Sequence, residues 1–299
     1  MKSAPWQEES HVPPQFLVGV RARVLLFTTL LVAGMPGCGP AGTEERASEL
    51  PSQGQGLQVD NGLSLNGLSL NGLSLNGLSL NGLSLNGLSL NGLSAPEFTA
   101  WFTQDPSHAD MVVTYLVKCA VPAGESRSYT DPQTGQRYVW NGELGLAPSW
   151  AHGSPSKVDE QQVISACLAA HTNQHALHIP ISILGRGAQG PRIPYTDPEL
   201  ATFSVREACF FGNLFTQEGI FFAADRAGAP LATRACGVLS HSTECAPLTL
   251  VGSCEQFCKQ DGKRPFYKEC TYGGVTYRPI ATRMRPQDYE QLFLSAAGD

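Results

Sequence analysis

The sequence predicts an α+β fold: a single disulfide-braced globular domain after a signal-like leader and a low-complexity pentapeptide-repeat segment. Three observations predict it. From about Ala95 onward, helix-like and strand-like stretches are interspersed; eight cysteines fall in that same stretch; and residues 61–94 repeat with a period of five, which is neither helical nor extended. The expected organisation is a signal peptide over 1–37, a polar linker over 38–60, the repeat over 61–94 and the domain over 95–299.

The chain has 299 residues, a formal net charge of -6 and only 15% charged residues. It offers no basic stripe to replace the counterions of a phosphate backbone, which argues against nucleic acid as a partner. The most basic run, Lys259 to Lys268, is interrupted by Asp261 and reads as a solvated loop.

Arg21 and Arg23 precede twelve apolar residues, Val24 to Met35. That is short of the roughly 20 needed to cross a bilayer, and it has the length and flanks of a signal-peptide core. Pro36-Gly37-Cys38-Gly39 follows and resembles a bacterial lipoprotein signal, in which an apolar residue and two small ones precede the lipid-bearing cysteine. Gly37 and Cys38 match; Met35 matches weakly and Pro36 departs from the pattern. The resemblance implies that Cys38 becomes the lipidated first residue of an envelope protein held on a membrane, the outer one being expected, by several acyl chains. The alternative is cleavage nearby and a secreted protein. Glu8 and Glu9 do not suit the leading edge of a signal, which points to a true start near Val18 or Val20.

Residues 39–60 are polar and rich in Gly, Ser and Glu, the composition of a disordered linker. The quartet NGLS then recurs every five residues, seven times from Asn61 to Asn91. In one straight strand Leu63 and Leu65 would face one way and Leu68 and Leu70 the other. A turn at each Asn-Gly, which reaches positive φ at low cost, removes the conflict. In the frame L-S-L-N-G the segment resembles the pentapeptide-repeat family, which implies a four-sided right-handed β-helix with Leu65 in the central inward place and Gly67 closing the unit. Leu63 departs from the pattern, being too large for the small inner position. Six full units give barely one and a half turns, too few for a stable solenoid. The other reading is a spacer, yet thirteen of its 34 residues are leucine. So much apolar surface is expected to self-pair, to settle on the domain, or to associate between copies.

In the domain, Asp105-Pro106 opens a helix with a capping residue followed by Pro in the first turn. Val112, Val113, Leu116, Val117 and Ala120 form its apolar face, and Pro122 ends it. Ser126 to Tyr129 and Arg137 to Trp140 flank a turn and predict a hairpin. Gly142 to Trp150 reads as loop. A second helix starts at Ser156 with Val163, Ile164, Cys167 and Leu168 inward and Asp159 and Glu160 near its positive end. His178 to Ile183 is a strand whose Pro180 suits an edge. Glu199 to Phe215 reads as mostly helical, Gly219 to Ala223 as a strand, Arg226 to Gly274 as disulfide-held loops, Val275 to Ile280 as a strand and Pro286 to Ser295 as a closing helix.

Apart from Cys38, the cysteines are Cys119, Cys167, Cys209, Cys236, Cys245, Cys254, Cys258 and Cys270. An even set behind an export signal predicts four disulfides. The two helices would bring Cys119 and Cys167 together. There is no C-x-x-C, and Cys254-x3-Cys258 lacks a partner pair or histidine for zinc.

The best candidate for chemistry is His171-x3-His175-x2-His178, since histidines at i and i+4 share a helix face and can share a metal. No H-E-x-x-H accompanies it, and Thr172 and Asn173 suggest the helix is ending there, so surface histidines are the plainer reading. Ser240-His241 lacks a nucleophile elbow. The glycines of Gly185 to Gly190 lack the Lys and Ser/Thr of a phosphate loop. Trp140 and Trp150 could floor a sugar or peptide groove, though core packing is the commoner use.

Three readings follow, and the leading one requires no cofactor. The leading one is a non-catalytic envelope lipoprotein presenting its domain to a protein or glycan ligand or in a structural role. The second is an exported metal-dependent hydrolase using His171, His175 and His178; the third is a repeat-driven adhesin that self-associates. In signal, repeat and cysteine-bearing domain the chain looks like the exported proteins of myxobacteria that carry NGLSL repeats, a resemblance that brings no activity with it.

Overall fold

The computed structural model describes residues 63–65, 88, 90–173, 178–216, 218–225 and 248–293. In chain order the elements are β1 (Leu63–Leu65), α1 (Leu90–Leu93), α2 (Pro96–Phe102), α3 (Pro106–Ala120), β2 (Ser126–Thr130), β3 (Arg137–Asn141), α4 (Pro148–Ala151), α5 (Val158–His171), β4 (Pro180–Gly185) and α6 (Asp197–Thr202). They continue with β5 (Val205–Asn213), β6 (Gly219–Ala224), β7 (Leu248–Ser253), α7 (Cys254–Phe257), β8 (Cys258–Gln260), β9 (Tyr267–Tyr272), β10 (Val275–Tyr277), β11 (Ile280–Met284) and α8 (Pro286–Phe293). This is an α+β arrangement with disulfide-bonded cysteine pairs.

Three layers stack on a central six-stranded sheet of order β1-β4-β11-β5-β6-β7. One face carries α3 and α5. α5 lies directly on β5, β11 and β6, burying Val163, Ile164 and Leu168 in the same core as Phe210, Phe222, Ile280 and Met284, while α3 packs on α5 and on β3. α5 is buried nearly all round, and Ala166, Ala169 and Ala170 let it lie close. The opposite face carries Leu184, Cys209, Phe211, Ala223 and Ala281, and packs on Phe266, Tyr267, Cys270 and Tyr277 of the small sheet β10-β9-β8. The hairpin β2–β3 forms a third sheet beside α3, where Phe98, Phe102, Tyr129, Tyr138 and Trp140 make one aromatic cluster with ring centroids 4.8 to 6.4 Å apart.

The local chemistry explains the elements that the sequence anticipates. Asp105 caps α3 by accepting from His108 N at 3.1 Å, with Pro106 in the first turn. Asp131 organises the β2–β3 turn, accepting from Gln133 N at 2.8 Å and Thr134 Oγ1 at 2.7 Å. Glu160 is buried, and one of its carboxylate oxygens accepts from Ser149 N and Trp150 N at 3.0 and 3.1 Å. The other accepts from Lys157 N, so a single residue fixes the start of α5 and of α4.

Four expectations are corrected. Glu199 to Phe215 is a short helix, α6, followed by the strand β5. β5 lies between two packed layers, so Ala208 and Phe210 bury on one face while Cys209 and Phe211 bury on the other. Such a run has no alternation to distinguish it from a helix. Within 226–274, the described part is not loop alone: it contains β7, α7, β8 and β9. Similarly, Gly142 to Trp150 includes the short helix α4, and Val275 to Ile280 divides into β10 and the start of β11.

The repeat meets the domain at both ends. Its first L-S-L is β1, antiparallel to β4 with Leu63 opposite Ser182, Ser64 opposite Ile181 and Leu65 opposite Pro180. Near its end, Leu88 is fully buried; its N donates to Trp150 O at 3.0 Å and its carbonyl accepts from Arg127 Nε at 2.8 Å. Leu93 is also in the core.

Candidate functional site

Where α5 and the small sheet meet at the surface there is a cleft of about 400 Å³, lined by Asp159, Gln162, Arg186, Asp261, Lys268, Glu269, Thr276, Tyr277 and Arg278. The volume is in the range of small-ligand sites, but the lining is charged where most such sites are apolar. Its walls come from four parts of the chain: the first turns of α5, the loop after β4, the β8–β9 hairpin, and β10 with the residue that follows it.

Gln162 is the hinge pin of the cleft floor. It donates through Nε2 to Thr276 O at 3.3 Å and accepts at Oε1 from Arg278 N at 3.2 Å, tying α5 to the small sheet. Arg278 Nη2 donates to Asp159 Oδ2 at 2.7 Å across the rim. Arg186 donates through Nε to Asp261 Oδ2 at 2.6 Å and through Nη1 to Gly190 O at 2.7 Å; Arg264 Nη1 donates to Asp261 Oδ1 at 3.1 Å. The Arg186 hydrogen bond, aided by Arg264, holds the Asp261 carboxyl below the usual carboxylate range despite its burial. Lys259 does the same for Glu269, 2.9 Å away. Tyr277 is buried at the base, and that burial with the nearby Glu218 pushes its hydroxyl up to about 12. Lys268 makes no ion pair among the described residues, while the lining as a whole sets three cationic side chains against three carboxylates. The cleft thus presents paired charges and an ammonium outside those pairs, a surface for polar recognition.

A second polar cluster joins the two sheets. Arg206 on β5 donates to Asp225, just after β6, through Nε at 3.1 Å and Nη2 at 2.5 Å, and to Tyr267 OH on β9 at 2.8 Å; Tyr267 in turn donates to Asp225. Burial and the adjacent Asp225 carboxylate drive the Tyr267 hydroxyl well above its ordinary value, so it stays protonated and acts as a donor. Nearby, Glu199 accepts from Ser182 Oγ at 2.6 Å, and burial raises its carboxyl pKa. These contacts are cross-links between layers.

Three disulfides are described. Cys119–Cys167 joins α3 to α5, the pair expected from the helix positions. Cys209–Cys254 ties β5 to the start of α7, and Cys258–Cys270 links facing residues of β8 and β9. The last two stack, with Cys209 Sγ 3.5 Å from Cys258 Sγ. Ligand atoms of Cys209, Cys258 and Cys270 lie within 4.8 Å of one another, as do those of Cys119, Cys167 and His171. In both groups every sulfur is in a disulfide, Cys209 with Cys254 and the others within their group, which withholds the thiolates a metal needs. Cys38, Cys236 and Cys245 lie outside the described residues.

Of the histidine candidates, His171 is fully buried at the end of α5. Its Nδ1 donates to the Cys167 carbonyl at 2.8 Å, and its ring lies 5.3 Å from Tyr115. His178 is exposed before β4, and His175 and Ser240-His241 lie outside the described residues. Trp140 and Trp150 are core residues, with Trp140 Nε1 donating to Asp110 at 2.6 Å. The basic run Lys259 to Lys268 belongs to the β8–β9 hairpin and supplies one wall of the cleft. Sequence reading missed the cleft because its charges come from positions as far apart as 159 and 278 with no spacing to connect them; only the basic run gave a signal.

No family model, curated protein or solved structure matches this chain. Among the described residues no helix is long and apolar enough to cross a membrane.

Proposed function

We propose that this chain is a non-catalytic lipoprotein of a bacterial cell envelope, anchored through lipid on Cys38 and presenting a disulfide-braced domain whose charged cleft receives a protein or glycan ligand. The observation that carries the reading is the set of three bridges, each between separate elements, with every described cysteine in one. Such bridges persist in oxidising compartments and are rare in the cytosol. The leader supports it: an apolar stretch of signal length with a cysteine just beyond. The cleft supports binding, because its charges are held in fixed pairs by side chains from four separate parts of the fold, leaving Lys268 as an open contact.

The test is to label cells expressing the full chain with an alkyne palmitate analogue and to compare it with Cys38→Ala, mapping disulfides without reductant on the same material. Label that disappears with Cys38→Ala, together with oxidised Cys119, Cys167, Cys209, Cys254, Cys258 and Cys270, is the expected result. Free thiols at these positions in the native protein would overturn the export reading. Unlabelled protein in the medium would replace the anchored form by a secreted one.

A further inference from the structure

We infer that the outer edge of β4 is a strand-addition site for the L-S-L tripeptide, and that a second copy of this chain supplies strands to it. The site is on the page already occupied: β1, the first L-S-L of the repeat, lies antiparallel on Pro180–Ser182. Recognition by strand addition rests on the backbone ladder, so a segment of identical sequence brings the same ladder.

The sequence holds six L-S-L tripeptides, starting at Leu63, Leu68, Leu73, Leu78, Leu83 and Leu88. The first is on the edge, and the last begins with Leu88, which is committed to the core. Four further copies of the tripeptide lie between them in the sequence, against one acceptor edge. Nothing in their sequence distinguishes them from β1, so a donor from another copy competes on equal contacts with the chain's own. The own strand is favoured by its tether, which acts as an effective concentration. A high concentration of copies, each with four further tripeptides of the same sequence, offsets that advantage. A donor on one molecule and an acceptor on the next is a head-to-tail contact that does not close by symmetry, so exchange propagates into chains of molecules. The proposal does not require the lipid: its failure would leave the export reading intact.

The experiment uses the full chain with Cys38→Ser. It is prepared once with ¹⁵N and once with ¹⁴N, both containing photo-leucine, and the two are mixed at high micromolar concentration, irradiated, reduced and digested with trypsin. The repeat falls in the single peptide Ala47–Lys118 and the acceptor edge in Val158–Arg186. Cross-links joining a heavy repeat peptide to a light edge peptide are expected, with sedimentation showing growing species as concentration rises. Replacing the surplus donors, Ser69→Pro, Ser74→Pro, Ser79→Pro and Ser84→Pro, removes their ladder N–H groups but spares β1 and Leu88. With one donor in five left, this variant should form far fewer mixed-isotope cross-links and smaller species than the parent while keeping same-isotope cross-links and an unchanged circular dichroism spectrum. Cross-links confined to same-isotope pairs in the parent chain would overturn the inference, as would mixed-isotope cross-links undiminished in the four-proline variant.

Discussion

Breaking the bridge between α3 and α5 should remove a large part of the stability of the domain. Cys119 and Cys167 close a loop with a sequence separation of 48, and both residues are fully buried where the helices pack. In the loop-entropy treatment, a loop of that length contributes about 4 kcal/mol at 25 °C. Single substitutions Cys119→Ala and Cys167→Ala each break the whole bridge, so each should cost about that amount. The double substitution should cost little more, because the cross-link can be lost only once. Urea unfolding followed by fluorescence of the buried Trp140 and Trp150 measures all three. For a domain of this size the melting temperature should fall by roughly 8–16 °C. Additive losses, or single losses below about 1 kcal/mol, would show that the cross-link does not govern stability and would refute the reasoning.

The shorter Cys258–Cys270 loop, with a separation of 12, should contribute less, about 3 kcal/mol, by the same measurement. With six of the eight domain cysteines paired, Cys236 and Cys245 are left for each other, and non-reducing peptide mapping should recover them as one linked species; separate free-thiol peptides would contradict this. Burial raises the Glu199 carboxyl pKa, so the folded state holds that proton more tightly than the unfolded chain. Its favourable contribution is present below the ordinary carboxyl range and is lost as pH rises, so Glu199→Gln should melt higher than the parent near pH 7.5, with the gap closing near pH 4. Asp261 is the opposite case: its depressed carboxyl pKa contributes stability above the ordinary value of 3.8, lost as pH falls through the folded one. Asp261→Asn should therefore lower the urea midpoint at pH 7 and approach the parent in acid. Phe102→Ala, at the middle of the aromatic cluster, should cost about 3–5 kcal/mol in equilibrium unfolding.

The legible parts of the sequence were those with local causes. Asp105-Pro106 announces α3 because cap and proline act within one turn, and the turn residues at Asp131 announce the hairpin for the same reason. β5 has a helix-like sequence because a strand covered on both faces loses the period that identifies it. Pro180 signalled an edge, and β4 would be one but for the repeat strand laid against it. The cleft was not legible, since Asp159, Arg186, Asp261 and Arg278 meet only through the packing of α5 on the small sheet. His171 looked like a surface ligand by spacing, yet the Cys119–Cys167 bridge beside it draws that end of α5 into the core.

The place of β11 in the central sheet bears on biosynthesis. Its residues, Ile280–Met284, come near the end of the chain, yet they sit between β4 and β5, and no direct pairing joins those two strands. A nascent chain therefore holds two unjoined halves of the sheet until Ile280–Met284 have been made, and contacts spanning about a hundred residues form slowly. Until that strand arrives the facing edges of β4 and β5 stay unpaired, so its arrival is the step that turns two separate hairpin-like halves into one sheet.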